Sequence, residues 1–300
     1  MNEYKYPITI FTPTYNRSYI IDNLYQSLCE QSYSNFEWLI IDQGNDDTHI
    51  KIEKYQLEKK LKCINYIKCD DRVGINRALN DAIDIAKGCL IFKVDDDDYL
   101  TSDAIESIMT WVDRIPPRER GQFAGVSGLR AYHDGNIIGG QWKNKTEYID
   151  CTSFERKKYS LQGDKAEAYF TDVLKRYGPL PEFDAETLTF ESMIYDRIAA
   201  GGLKVRWYNK IIYYTEYLSD GQTMNTKKKL SSNLNTYAYL INNKILYKTE
   251  SFWIILKNMC RYCEMCRKKN MTIKDAGKHF TSSRWIYLVC WRVSKVTRFL

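Results

Sequence analysis

Short apolar runs alternate with amphipathic stretches through the first hundred residues. Ile8–Thr12 reads as a strand, and Pro13–Ser18 as the loop that leaves it. Tyr19–Gln31 carries Ile20, Leu24 and Leu28 at helical spacing. Phe36–Asp42 is a second strand, ending in an aspartate. Asp46 and Asp47 can cap a helix running to about Leu61. Cys63–Lys68 is a third strand, followed by a loop over 71–77. Ala78, Leu79, Ala82, Ile83 and Ala86 then share one helix face, and Gly88 is placed to close that helix as its C-cap. Cys89–Val94 is the fourth strand. Strands alternating with helices at this spacing predict βαβ units, a parallel sheet and right-handed crossovers.

The pattern changes after residue 118. Phe123–Val126 and Leu129–Tyr132 read as strand pieces, with a hairpin signal at His133-Asp134-Gly135-Asn136. Asp164–Tyr177 reads as a helix, stopped by Gly178-Pro179. A helix through about Ala200 is expected after Glu191-Ser192, then strands at Lys204–Tyr208 and Ile211–Glu216. The remainder reads as helices, at about Thr226–Tyr247, Ser251–Lys268, Thr272–Phe280 and Arg284–Phe299. The expected division is an α/β domain over 1–223, with halves at 1–110 and 111–223, and a helical region over 224–300.

The candidate chemistry gathers where strands end. Asp95, Asp96, Asp97 and Asp98 follow the fourth strand directly. Four adjacent carboxylates repel one another, and folding alone does not ask for them. A hard divalent cation such as Mg²⁺ or Mn²⁺ takes carboxylate oxygens and leaves positions open for phosphate. The plainer reading is a solvated acidic turn before the next helix, with Ser102 or Asp103 as its N-cap. Pro13–Arg17, Asp42 and Arg72–Arg77 also follow strands. In an open α/β sheet, all four clusters converge on the carboxyl edge, where ligands bind.

Composition and charge add a second theme. The apolar fraction is 44%, enough for a packed core rather than a disordered chain. From Lys248 onward, twelve Lys/Arg face three Asp/Glu, although the whole chain carries only +6. The body is therefore mildly acidic and the tail strongly basic. That asymmetry points the tail at a polyanionic surface. Arg284–Leu300 mixes Trp, Tyr and aliphatics with Arg and Lys, as an interfacial helix on an anionic membrane would. No nucleic-acid-binding motif is present, so nucleic acid is not the expected partner. No apolar leader or spanning segment is evident, and the nine cysteines suit reduced thiols in a cytoplasm. Cys260, Cys263 and Cys266 lie at i, i+3 and i+6. They read as a buried stripe alongside Trp253 and Leu256 rather than as a metal site.

Four motifs in order carry a family resemblance. They are Thr12-Pro13-Thr14-Tyr15-Asn16-Arg17, Glu37–Asp42, Asn76–Asn80 leading to Gly88, and Val94–Asp98. Together they resemble the family 2 glycosyltransferases of the GT-A fold, bacterial surface-polysaccharide type. The resemblance implies a Rossmann-like, mostly parallel sheet flanked by helices, with a C-terminal helical extension. It implies a metal-dependent, inverting transfer from a nucleotide sugar, most simply a UDP-sugar, to a glycan or lipid-linked acceptor. Carried over, Pro13, Tyr15 and Arg17 would lie along the donor, Asp42 would contact uracil and Arg77 the nucleotide. Asp95 would hold ribose, with Asp96 beside it, and Asp97 the Mn²⁺ or Mg²⁺ ion. The location implied is cytoplasmic, at the inner face of the cell membrane.

Such a transfer needs a base for the acceptor hydroxyl. The family supplies it from an acidic motif, often Glu-Asp, that opens a helix. Here Glu191-Ser192 stands at that point, with serine where the aspartate is usual. Glu191 is the expected base, with Asp184 and Glu186 in reserve. The plainer reading of Glu191 is an acid favoured at a helix N-terminus. Tyr217–Thr223 resembles a loop of the family's polysaccharide-type members. A noncatalytic nucleotide- or glycan-binding protein on the same fold is the alternative. A nucleotidyltransferase is disfavoured, because the loop at Pro13–Arg17 has no glycine.

Overall fold

The structure is a computed structural model. It describes residues 4–69, 73–143, 145–184, 186–188, 190–215, 226–280 and 283–294. The chain divides into two compact units. The first comprises Met1–Pro179 with Arg197–Tyr217, and the second Leu180–Asp196 with Leu218–Leu300.

In the first unit the alternation expected from sequence is present. The order is β1 (Tyr6–Thr14), α1 (Ile21–Cys29), β2 (Phe36–Asp42), α2 (Thr48–Glu58), β3 (Ile64–Lys68), α3 (Ile75–Ile85) and β4 (Gly88–Lys93). These four strands run parallel in the order β3-β2-β1-β4. β2 is buried along its whole length, as a strand covered on both faces must be. Ile10, Trp38, Ile40 and Phe92 of the strands pack with Ile21, Leu24 and Tyr25 of α1. The chain moves outward from β1 to β2 and β3, then returns to lay β4 on the other side of β1. The topological switch point therefore lies between β1 and β4.

The sheet continues through β5 (Tyr99–Leu100), β6 (Phe123–Tyr132), β7 (Tyr148–Cys151), β8 (Lys165–Phe170) and β9 (Lys204–Thr215), with α4 (Ala104–Asp113) and α5 (Thr171–Tyr177) between them. Here the pairing is mixed. β8 runs antiparallel to β4 and β6, whereas β6 and β9 are parallel. The two strand pieces expected over 123–132 are one strand, as are those over 204–215, where a register shift bends the ladder between Ser127 and Leu129.

Three expectations in the first unit need correction. Residues 165–170 form a strand, not the first half of a helix; only Thr171–Tyr177 is helical. Gly88 does not cap α3. Ala86 ends that helix in extended geometry, and Gly88 opens β4. A Cβ there would stand 2.3 Å from the Thr9 nitrogen, so glycine permits the close approach of β4 to β1. Arg77 lies within the first turn of α3, not in the loop before it.

The second unit contains Glu191, most of α6 (Ser192–Ala200), α7 (Thr226–Ser232), α8 (Leu234–Tyr247), α9 (Phe252–Lys268), α10 (Ile273–Gly277) and α11 (Arg284–Val293). The stretch Leu180–Asp196, expected within the α/β domain, groups with these helices. Its core joins Leu188, Tyr237, Ile241, Met259, Tyr262, Phe280 and Tyr287. Cys260, Cys263, Cys266 and Cys290 are buried in it, and burial pushes the Cys290 thiol up to about 12 and that of Cys266 to about 11. Trp253 does not join that stripe; it is 75% exposed. The loop expected over Tyr217–Thr223 and the final residues 295–300 lie outside the described residues.

Candidate active site

The carboxyl edge of the parallel strands is in register. Thr14 lies opposite Asp42, and Asp42 opposite Lys68. β4 ends at Lys93, and the Val94 N–H donates to the Phe11 carbonyl at 2.9 Å. The loop after β1 and the aspartate run after β4 thus emerge side by side at the switch point.

They meet through Arg17. Its guanidinium donates to Asp96 Oδ1 at 2.8 Å and to Asp97 Oδ2 at 3.0 Å. Asn16 turns the loop, with φ of 54°. Its side-chain oxygen accepts the Asn45 N–H at 2.6 Å, tying this loop to the one after β2. Pro13 lies in β1 itself, and Tyr15 stands half exposed on the edge.

The four aspartates alternate in burial. Asp96 and Asp98 are buried, whereas Asp95 and Asp97 are partly exposed. Burial pushes the Asp96 carboxyl up to about 6, against the pull of Arg17. Burial, and then the charge of Asp95, lifts Asp98 to about 7. Burial raises Asp97 as well. Asp95 goes the other way: burial opposes its charge, but Lys93 at 2.6 Å and Arg130 at 3.9 Å bring its carboxyl below the usual range.

Beneath the run lies a support that sequence reasoning missed. Tyr213 of β9 donates its hydroxyl proton to Asp98 Oδ2 at 2.6 Å, and the Asp95 N–H donates to the same hydroxyl at 3.0 Å. The Arg130 guanidinium, from β6, lies 3.9 Å from the centre of the Tyr213 ring. One tyrosine thus fixes both ends of the aspartate run. The available signal was a lone arginine inside the apolar strand piece Leu129–Tyr132.

Asp42 is fully buried. Its Oδ1 accepts the Gly44 N–H at 2.8 Å, and its Oδ2 accepts the Tyr66 hydroxyl at 2.6 Å and Lys68 at 3.4 Å. Arg77 donates to the Val73 carbonyl at 2.7 Å, one turn back. Glu191, in the second unit, stands just before α6 and accepts the Tyr195 hydroxyl at 3.2 Å. Of the reserve acids, Asp184 is exposed. Glu186 is engaged, accepting the Asn235 and Thr236 N–H groups at 2.8 Å each, at the start of α8. The structure therefore brings together Arg17 and the aspartates, and places Glu191 in the other unit.

The donor set fits a divalent cation of the hard class. The carboxylates are the oxygen ligands that Mg²⁺ and Mn²⁺ prefer, and Asp98 Oδ1 is buried without a hydrogen-bond partner. No group of three or more His, Cys, Asp or Glu among the described residues is disposed to enclose an ion alone. At most the run offers part of a coordination shell. Mg²⁺ is commonly held this way, by one or two carboxylates with phosphate and water completing its shell.

With this geometry in hand, similarity to known proteins is informative. Residues 9–176 match the model of glycosyl transferase family 2. The amylovoran biosynthesis glycosyltransferase AmsB of Erwinia amylovora is 27% identical over 132 residues, 43% of this chain and 44% of that protein. The chain spans under half the length of the curated relatives it matches. The crystal structure of S. aureus TarS 1-349 in complex with UDP-GlcNAc superposes with a TM-score of 0.61 at 16% identity, covering 96% of this chain and 90% of that one. The mannosyltransferase PcManGT from Pyrobaculum calidifontis, in complex with GDP-Man and Mn²⁺, gives 0.58 at 15% identity, covering 98% and 88%. The match spans the parallel strands, the switch-point loops and the aspartate run, and by it the chain, with its GT-A fold, belongs to glycosyl transferase family 2.

Proposed function

We propose that this chain moves a sugar from a nucleotide sugar, a UDP-sugar, to a hydroxyl of a glycan or lipid-linked acceptor. The reaction is metal-dependent and inverting, and serves surface polysaccharide synthesis at the inner face of the cell membrane. One observation carries the reading: an arginine-paired aspartate run sits at the switch point of a parallel sheet. The amylovoran relative and the UDP-GlcNAc complex of TarS support the acceptor and donor classes, and the Mn²⁺ complex of PcManGT supports the metal.

Asp97 would hold the ion, with Asp95 on the ribose and Asp96 beside it. A bound divalent ion supplies charge neutralisation to the diphosphate. Arg17, released from Asp96 and Asp97, would face the same phosphates. Pro13, Tyr15 and Asp42 would line the base, and Arg77 the nucleotide. Glu191 takes the acceptor proton as that oxygen bonds to the anomeric carbon. The carbon–oxygen bond to the diphosphate breaks, and its electron pair leaves with the phosphate. Glu191 is only partly buried, so it would exchange that proton with solvent between turnovers.

Calorimetric titration of UDP with and without Mn²⁺ tests the donor half. Metal-dependent binding in wild type, lost in Asp97→Ala, is expected. If UDP binds in neither condition, the donor assignment is wrong. If it binds but no UDP-sugar turns over, the chain is the noncatalytic binding protein.

A further inference from the structure

α11 has two faces. Tyr287, Cys290 and Trp291 are buried inward. Trp285, Leu288, Val289 and Val293 point outward at i, i+3, i+4 and i+8, and Trp285 is 65% exposed. Every other exposed residue of this helix is an arginine, Arg284 or Arg292, and the helix holds no acid. The first turn of α9 repeats the composition: Phe252, Trp253 and Ile254 are exposed, followed by exposed Lys257. The one acid of α9, Glu264, is paired with Lys268 at 3.2 Å. Cys260 meets Cys290, and Tyr287 lies by Cys263 and Cys266, so the two helices run antiparallel. The first turn of α9 therefore lies toward the C-terminal end of α11.

Two exposed tryptophans, an exposed phenylalanine and four exposed aliphatics on these two helices mark an interaction surface. Among the described residues no helix is long and apolar enough to cross a membrane. Ten residues of α11 reach only about 15 Å. An apolar face whose own helix carries only cations suits a helix lying in the headgroup plane, with tryptophan at the interface; Glu250, just before α9, is paired with Lys244. A second copy would bring Arg284 and Arg292 against their own like charges, which disfavours a homodimer through this face.

We propose that the outer face of α11, with the first turn of α9, lies on a bilayer bearing anionic lipid. This rests on the membrane location proposed above and names the surface responsible. Flotation with phosphatidylcholine vesicles, with and without phosphatidylglycerol, tests it. Wild type should float only with phosphatidylglycerol, and less at high salt. Arg284→Gln with Arg292→Gln should weaken partition roughly fivefold per charge. Trp285→Ser and Trp253→Ser should each weaken it about tenfold, with UDP affinity and thermal melting unchanged as controls on folding. If wild type ignores the anionic vesicles, the location fails. If it floats and all variants float equally well, the location stands and this surface is overturned. Concentration-dependent dimerisation without lipid, abolished by Trp285→Ser, would assign the face to a second copy instead and also overturn the proposal.

Discussion

Arg17 holds Asp97, the proposed cation ligand, together with its neighbour Asp96, so arginine and metal would compete for the Asp97 carboxylate. A charge-assisted hydrogen bond is worth about 1.5–3 kcal/mol. Arg17→Gln should therefore bind Mn²⁺ alone, without nucleotide, roughly tenfold more tightly than wild type. Mn²⁺ titration followed by electron paramagnetic resonance reads this without any turnover. Unchanged or weaker Mn²⁺ binding would show that the arginine does not guard the site. The acids of the second unit separate at the same scale. Glu186 accepts two N–H groups at the start of α8, so Glu186→Ala should cost about 0.5–2 kcal/mol of stability and leave kcat near wild type. Glu191→Ala should do the reverse, with kcat falling by two orders of magnitude or more and the melting temperature held. If the two phenotypes are exchanged, the base is Glu186. Asp42 and Asp97 were legible as site candidates because they follow strands. Tyr213 and Arg130 were not, because a strand pairing far along the sequence carries them there.

At the scale of elements, β8 shows where tertiary pairing overrides local preference. Lys165-Ala166-Glu167-Ala168 reads as helix by propensity. In the structure Ala166, Ala168 and Phe170 face the core between β4 and β6, and two ladders outweigh that propensity. β2 was legible to the residue, because a fully buried parallel strand is mostly apolar, here Trp38-Leu39-Ile40-Ile41 flanked by Phe36 and the buried acids Glu37 and Asp42. Gly88 was misread because a glycine after a helix and a glycine starting a tightly packed strand look alike in sequence. β8 also begins with a test of its own. The Lys165 ammonium is buried and donates to the Ile138, Gln162 and Asp164 carbonyls at 2.9, 2.8 and 3.2 Å. Burial, and then Arg156, pushes its pKa down from 10.5 to about 8. The unfolded chain then binds more protons than the native one between these values, so this group's contribution to stability rises with pH across that window. Lys165→Met strands the carbonyls and should cost about 1–3 kcal/mol. The gap from wild type, read from urea melts, should widen as pH rises from about 8 toward 10.5. A gap that narrows would mean that the ammonium is not desolvated in the native state.

At the scale of the whole molecule, the two compact units carry different chemistry. The aspartate run, Arg17 and Asp42 belong to the first, and Glu191 and the exposed apolar face of α11 to the second. Nucleotide and lipid should therefore leave separate footprints in hydrogen exchange. UDP with Mn²⁺ should slow exchange in the loops after β1, β2 and β4, where backbone N–H groups meet the ligand. At a hundredfold excess over its dissociation constant, such a ligand adds about 2.7 kcal/mol to the unit that binds it. Anionic vesicles should slow exchange in α11 and the first turn of α9, and leave the switch-point loops unchanged. The footprints test the assignments independently, because each ligand serves as the other's control. If UDP protects α11 and spares the loops after β1 and β4, the nucleotide site is misplaced. If vesicles protect the loops and spare α11, the membrane face is misplaced. If each ligand protects both regions, binding at one unit orders the other, and donor loading would then depend on the surface to which the chain is bound.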